Sequence, residues 1–206
     1  MKVPRDAEGF IAEQKRLLKE TPGCATALYN LGVSALQEGR LEEAAEYFEE
    51  AIAEGGRMFE AWVNLGYIYF KRGDLEKVVE ANKRAVEIEP RYARGYANLG
   101  FAYLQMVRTD EAIAALEKAI ALNPQIAQAW SNLVSAYLQK GDIEKAVEVG
   151  EKLVAMAPDF GLGHNNLAYA YYLKGDYAKA NAHLDLAAKF GFPVHPDFRR
   201  ELEVHR

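Results

Sequence analysis

The sequence is short of the residues that most often carry chemistry. It has one cysteine, Cys24, and four histidines among 206 residues. A single thiol excludes an internal disulfide and leaves the redox compartment undetermined. It lacks a positive excess: 25 Lys plus Arg face 30 Asp plus Glu, a formal net charge of -5. Without a basic cluster there is little to hold phosphates, so no nucleic-acid partner is expected. No apolar run approaches the ~20 residues of a membrane helix, so no membrane insertion is expected. The opening "MKVPRDAEGFIAEQ" lacks the apolar core and small-residue cleavage site of a signal peptide, so the expectation is a cytoplasmic chain. There is no phosphate loop, nucleophile elbow or dinucleotide fingerprint. The reading is therefore of a non-enzymatic protein with no cofactor.

What the chain does have is a period. "YNLG", "VNLG", "ANLG", "SNLV" and "NNLA" return every 34 residues, placing Asn30, Asn64, Asn98, Asn132 and Asn166 at one phase. Five units fill 25–58, 59–92, 93–126, 127–160 and 161–194. With each unit numbered from 1, position 7 is always Leu, position 11 is Tyr in four units, and position 20 is Ala or Val. A fixed period of this length marks stacked supersecondary units.

Each unit reads as two helices. Apolar residues at positions 3, 4, 7, 10 and 11 form a helical stripe in the first, and positions 20, 24, 27 and 28 do so in the second. Between them stand "EGRL", "RGDL", "KGDI" and "KGDY". Glycine can close the first helix in a left-handed conformation, and Asp can cap the next. Pro90, Pro124 and Pro158 stop second helices.

This pattern resembles the tetratricopeptide repeat family: Trp or Leu at 4, Leu-Gly at 7–8, Tyr at 11, Ala at 20 and 27, Pro at 32. The resemblance covers about four-fifths of the chain. It implies an all-α fold, a right-handed α-solenoid or superhelix of stacked antiparallel helix pairs, with first helices lining a concave face. It also implies a partner that is another protein or a peptide segment.

Residues 1–24 match only the second half of a unit, and Phe10, Ile11, Leu17 and Leu18 make one stripe there. Residues 195–206 read as an amphipathic capping helix, with Pro196 in its first turn and Phe198 and Leu202 on one face. Four departures stand out. Val107 replaces the turn glycine of the third unit, and a β-branched residue resists positive φ, so a different turn shape is expected. Gly55-Gly56 replaces Asp-Pro, which suggests a softer junction. Asn82 and Gly150 sit at position 24, where a bulky core residue is usual, and suggest a packing deficit or a partner contact.

On the implied concave face, position 6 is the asparagine ladder. Beside it stand Tyr67, Phe101 and Tyr169 at position 9, Phe70 and Tyr172 at position 12, and Arg94 at position 2. A side-chain amide has one acceptor and two N–H donors, so it can pair with both groups of a peptide bond. Rungs spaced ~8–10 Å apart would meet an extended chain about every three residues. The ladder resembles that of the tetratricopeptide superhelix of glycosyltransferases acting on Ser and Thr. A plainer reading stands beside it: asparagine is frequent at this position and can serve a local hydrogen bond. The family's clamp for acidic chaperone tails is not expected, since position 5 has no Lys and position 6 no Arg.

The histidines give no metal site, because no two fall at i, i+4. His164 takes the Trp/Leu position and reads as packing. The glutamate runs "LEEAAEYFEEA" and "GDLEKVVE" read as solvated outer faces. The alternative to a peptide-binding scaffold is a self-assembly module, a homo-oligomer built through the N-terminal half-repeat.

Overall fold

The computed structural model describes residues 7–55 and 58–205. Every regular element among them is a helix: α1 (Ala7–Glu20), α2 (Ala25–Gln37), α3 (Leu41–Gly55), α4 (Phe59–Arg72), α5 (Leu75–Ile88), α6 (Ala93–Gln105), α7 (Thr109–Leu122), α8 (Ala127–Lys140), α9 (Ile143–Met156), α10 (Gly161–Lys174), α11 (Tyr177–Lys189) and α12 (Pro196–Glu203). No helix among the described residues is long and apolar enough to cross a membrane. The chain forms two compact units, the first ending at Gly95 and the second beginning at Tyr96.

In the first unit α1 packs on α2, α2 pairs with α3, α3 meets α4, and α4 pairs with α5. Phe48, Leu65 and Ile68 fill the core beside Ala44, Ala61 and Ala81, all six at 1% exposure or less. In the second unit α7 meets α8, α8 pairs with α9, α9 meets α10, and α10 pairs with α11, which carries α12. α6 lies so close to α7 that a Cβ on Gly100 would overlap the Leu116 side chain. Small residues at 20 and 27 serve the same closeness: Ala112, Ala119, Ala146, Ala180 and Ala187 are fully buried. Each unit is thus a stack of antiparallel helix pairs, the α-solenoid arrangement.

The turns inside the pairs share one hydrogen-bond pattern. Gly73, Gly141 and Gly175 stand at φ 76, 82 and 83°. Each donates its N–H to a carbonyl three residues back, and the next N–H reaches five back, as in Asp142 N to Tyr137 O at 2.9 Å. Asp74, Asp142 and Asp176 then accept from Lys77, Lys145 and Lys179 N–H as N-caps. Val107 corrects the expectation of a different turn. It sits at φ 58° and keeps both bonds, Val107 N to Leu104 O at 3.1 Å and Arg108 N to Tyr103 O at 2.9 Å. The paired helices dictate the turn, and the valine is held in it with 70% of its surface exposed.

Neither position-24 residue leaves a hole. Asn82 is 1% exposed and donates to Val78 O at 2.8 Å. A Cβ on Gly150 would stand 2.9 Å from Leu167 Cδ1, so leucine already fills that space. Of the junction expected to be soft, Gly56 lies outside the described residues. A Cβ on Gly55 would meet the Ala25 Cβ at 2.8 Å, so the end of α3 is packed tightly on the start of α2.

His164 is buried, at 4% exposure. Its Nε2 faces Pro158 O at 2.9 Å and its Nδ1 faces His183 Nδ1 at 3.0 Å. A carbonyl only accepts, so Nε2 carries the proton and Nδ1 accepts from His183 Nδ1–H. His183 is stacked between His164 and Tyr171. Burial, then the neighbouring His164, hold its pKa below the ordinary value, with Lys179 adding to the effect and Glu151 opposing it. The unfolded chain therefore takes up this proton first as pH falls. Stability of the α10–α11 pair should be full above pH ~6.5 and decline as pH falls through the lowered value. Thermal melts between pH 8 and 5 check this. His183→Gln, which keeps a donor for His164, should flatten the profile, and an unchanged slope would refute the assignment.

Candidate functional site

The five asparagines do not share one environment. In the first unit, Asn30 on α2 is half-buried, and its Nδ2 donates to Gln14 Oε1 at 3.0 Å. Gln14 is 6% exposed, so this bond fastens α1 to α2. Asn64 on α4 is half-buried. In the second unit, Asn98 on α6 is exposed. Asn132 on α8 is buried at 8% and accepts from Gln128 Nε2 at 3.0 Å. Asn166 on α10 donates back to α8, to Ser131 Oγ at 3.0 Å and Ser135 Oγ at 3.2 Å. An asparagine phase pointing uniformly into a groove is therefore corrected at Asn132. There Gln128, one turn earlier, lies over the amide, and Ser131 beside it is 1% exposed.

The aromatics divide in the same way. Tyr67 and Phe70 on α4 are 48% and 43% exposed, and Lys71 Nζ stands 5.4 Å from the Tyr67 ring centre. Arg94 is exposed and Phe101 half-buried. Tyr169 and Tyr172 stack on each other at 6.2 Å, and Phe198 of α12 sets its edge against both, at 5.5 and 5.6 Å. The carboxylate of Glu201, also on α12, raises the pKa of the Tyr172 hydroxyl. The C-terminal helix thus packs on this aromatic pair, leaving Tyr169 43% exposed.

One recurring contact escaped the sequence reading. The tyrosine at position 11 donates its hydroxyl to the glutamate at position 25 of the preceding repeat: Tyr69 to Glu49 at 3.2 Å, Tyr137 to Glu117 at 2.9 Å, and Tyr171 to Glu151. Lys77, Lys145 and Lys179 lie over the three rings at 5.3, 5.3 and 4.9 Å. Burial and the adjacent carboxylate push Tyr137 up to about 12, and raise Tyr69 and Tyr171 as well. The 20-residue separation of Glu and Tyr was visible in the sequence. Of the three, only Glu49 lies in a run read as a solvated outer face; it is exposed as expected, and it also ties one repeat to the next.

The comparisons with known proteins agree with this architecture. A model described as "Tetratricopeptide repeat" matches residues 12–59 and 98–159, and one described as "TPR repeat" matches 56–107. No curated protein matches the sequence. Among solved structures, MamA is 26% identical with a TM-score of 0.74, over 84% of this chain and 98% of that one. YrrB, described as a TPR protein with an unusual peptide-binding site, is 18% identical with a TM-score of 0.77, over 93% and 96%. PilF of Pseudomonas aeruginosa is 24% identical with a TM-score of 0.71, over 81% and 76%.

Proposed function

The chain belongs to the tetratricopeptide repeat family, and from that premise we propose a non-enzymatic scaffold that binds an extended segment of a partner protein on its first helices. The observation that carries the reading is α4, where Tyr67 and Phe70 are 48% and 43% exposed beside Asn64. Large exposed aromatics next to an amide suit a peptide, whose backbone the amide pairs and whose apolar side chains the rings cover. In the second unit Asn98 is exposed and Phe101 half-buried on α6. Asn30 and Asn166 tie helices together, and Asn132 is buried and bonded to Gln128 of its own helix, so their loss should tell on the fold as well.

The test begins with a peptide selected by display on the intact chain. Asn64→Ala should weaken its binding by about 2- to 12-fold, the worth of one net hydrogen bond. Tyr67→Ser should change which peptide side chains are preferred. Asn132→Ala should lower the melting temperature, whereas Asn64→Ala leaves it near the wild-type value. Equal affinity of wild type and Asn64→Ala, with intact circular dichroism, would refute the amide's role. A second reading, self-association through α1, rests on Phe10, which is 38% exposed. Light scattering of wild type against Phe10→Ser decides it, since a monomer in both ends that reading.

A further inference from the structure

On the side of α4 away from Asn64 and Tyr67 there is a second feature. At ~100° per residue, Trp62 and Tyr69 fall about 20° apart around the helix, while Asn64 and Tyr67 lie about 140–200° from Trp62. Trp62, Leu65 and Tyr69 wall a cavity of about 230 Å³, closed by Glu49 and Ile52 of α3 and by Lys77, Glu80 and Ala81 of α5. That is below the roughly 300–1,000 Å³ of sites for drug-sized ligands, and suits one long side chain. Its depth follows from Ala81. At the same phase of the later repeats stand Ala115, Val149 and His183, and His183 fills its site to contact His164.

We propose that this cavity binds the side chain of an arginine presented by a partner protein. Ile52 and Trp62 are half-buried apolar walls for the aliphatic stem. A guanidinium is planar and stacks on an indole face, which an ammonium cannot do. Two carboxylates stand at the rim against one amine. Glu49 is oriented by the Tyr69 hydroxyl at 3.2 Å. Lys77 Nζ lies 5.3 Å from the Tyr69 ring centre and 3.7 Å from Asp74 Oδ2, so a cation already rests on this aromatic wall while Glu80 is left facing the opening. The remaining charge at the rim is negative, complementary to a cationic side chain. Nothing in this inference depends on the Asn64 face.

The probe is N-acetyl-arginine methylamide, followed by the indole N–H resonance of Trp62 in the full chain and assigned with Trp130→Phe. It should shift that resonance saturably at millimolar concentration. N-acetyl-norleucine methylamide should bind at least several-fold more weakly. Ala81→Val, which installs the residue found at position 149, should abolish the shift. Glu80→Gln, on an exposed surface, should weaken binding about two- to five-fold, and Lys77→Ala should tighten it by a similar factor. No saturable shift, a shift that survives Ala81→Val in a folded protein, or equal binding of the norleucine amide would overturn the proposal. The last of these would leave a plain apolar cavity.

Discussion

Leu202→Ala should release the C-terminal helix. Leu202 is fully buried, and truncating a leucine in such a place costs about 2–5 kcal/mol. α12 has only eight residues, too few to persist as a helix without tertiary packing. Apart from the packing of Phe198 on Tyr169 and Tyr172, worth about 0.5–1.5 kcal/mol per aromatic pair, its other attachments are slighter. Asn181 Nδ2 donates to Leu202 O at 3.3 Å, Arg199 meets Asp185 at 3.1 Å on the surface, and His205 stacks on Tyr177 at 3.9 Å. Exposed ion pairs contribute about 1 kcal/mol at most. The loss at Leu202 therefore exceeds what these contacts restore, and α12 should detach before the helix pairs melt. Amide exchange read by mass spectrometry should show protection across 198–204 falling by roughly 30-fold or more, with protection of α8 and α9 retained. Unchanged protection in α12 would mean that Leu202 does not hold it.

That result also bears on binding. Phe198 sits edge-on against Tyr169 and Tyr172; with α12 docked Tyr172 is half-buried, while Tyr169 keeps 43% of its surface exposed. On the proposed reading, Leu202→Ala should therefore widen the aromatic surface at Tyr172, with Tyr169 already exposed in the intact chain.

What could be read from the sequence was local. Helix pairs follow from apolar spacing, the turns from glycine, and the caps from Asp74, Asp142 and Asp176, because each of these effects acts within a few residues. The small residues at positions 20 and 27 were legible for a related reason: only close helix packing explains five repeats without a large side chain at 20. The surroundings of the asparagines were not legible. Whether Asn132 is buried depends on Gln128, and Asn166 is tied to Ser131 and Ser135, more than 30 residues away. The contact of Phe198 with Tyr169 and Tyr172 comes from a helix outside the period. The cavity by Trp62 depends on side chains of α3, α4 and α5 meeting around one space, which no local pattern shows.

The turn at Val107 gives a prediction of opposite sign. A left-handed conformation costs a residue with a Cβ roughly 1–2 kcal/mol, and a β-branched residue lies toward the upper end. Glycine removes that cost, but its freer unfolded chain returns about 0.4–1 kcal/mol. Val107 is 70% exposed, so little packing is lost with its side chain. Val107→Gly should therefore stabilise by about 1 kcal/mol, a rise in melting temperature of ~2–4 °C for a chain of this length. The reverse exchange supplies the control. Gly141 occupies the same turn at φ 82°, and a Cβ there would meet nothing within 4 Å. Gly141→Val should therefore cost about what Val107→Gly gains, through backbone strain alone. Calorimetric melts of the two variants check both signs; they are read singly, because Thr109 bonds Gln139 and Lys140 bonds Asp110 across the two turns, so effects there need not add. If Val107→Gly leaves the melt unchanged while Gly141→Val lowers it, the third turn carries no strain, and its valine is accommodated in a way that the other turns do not share.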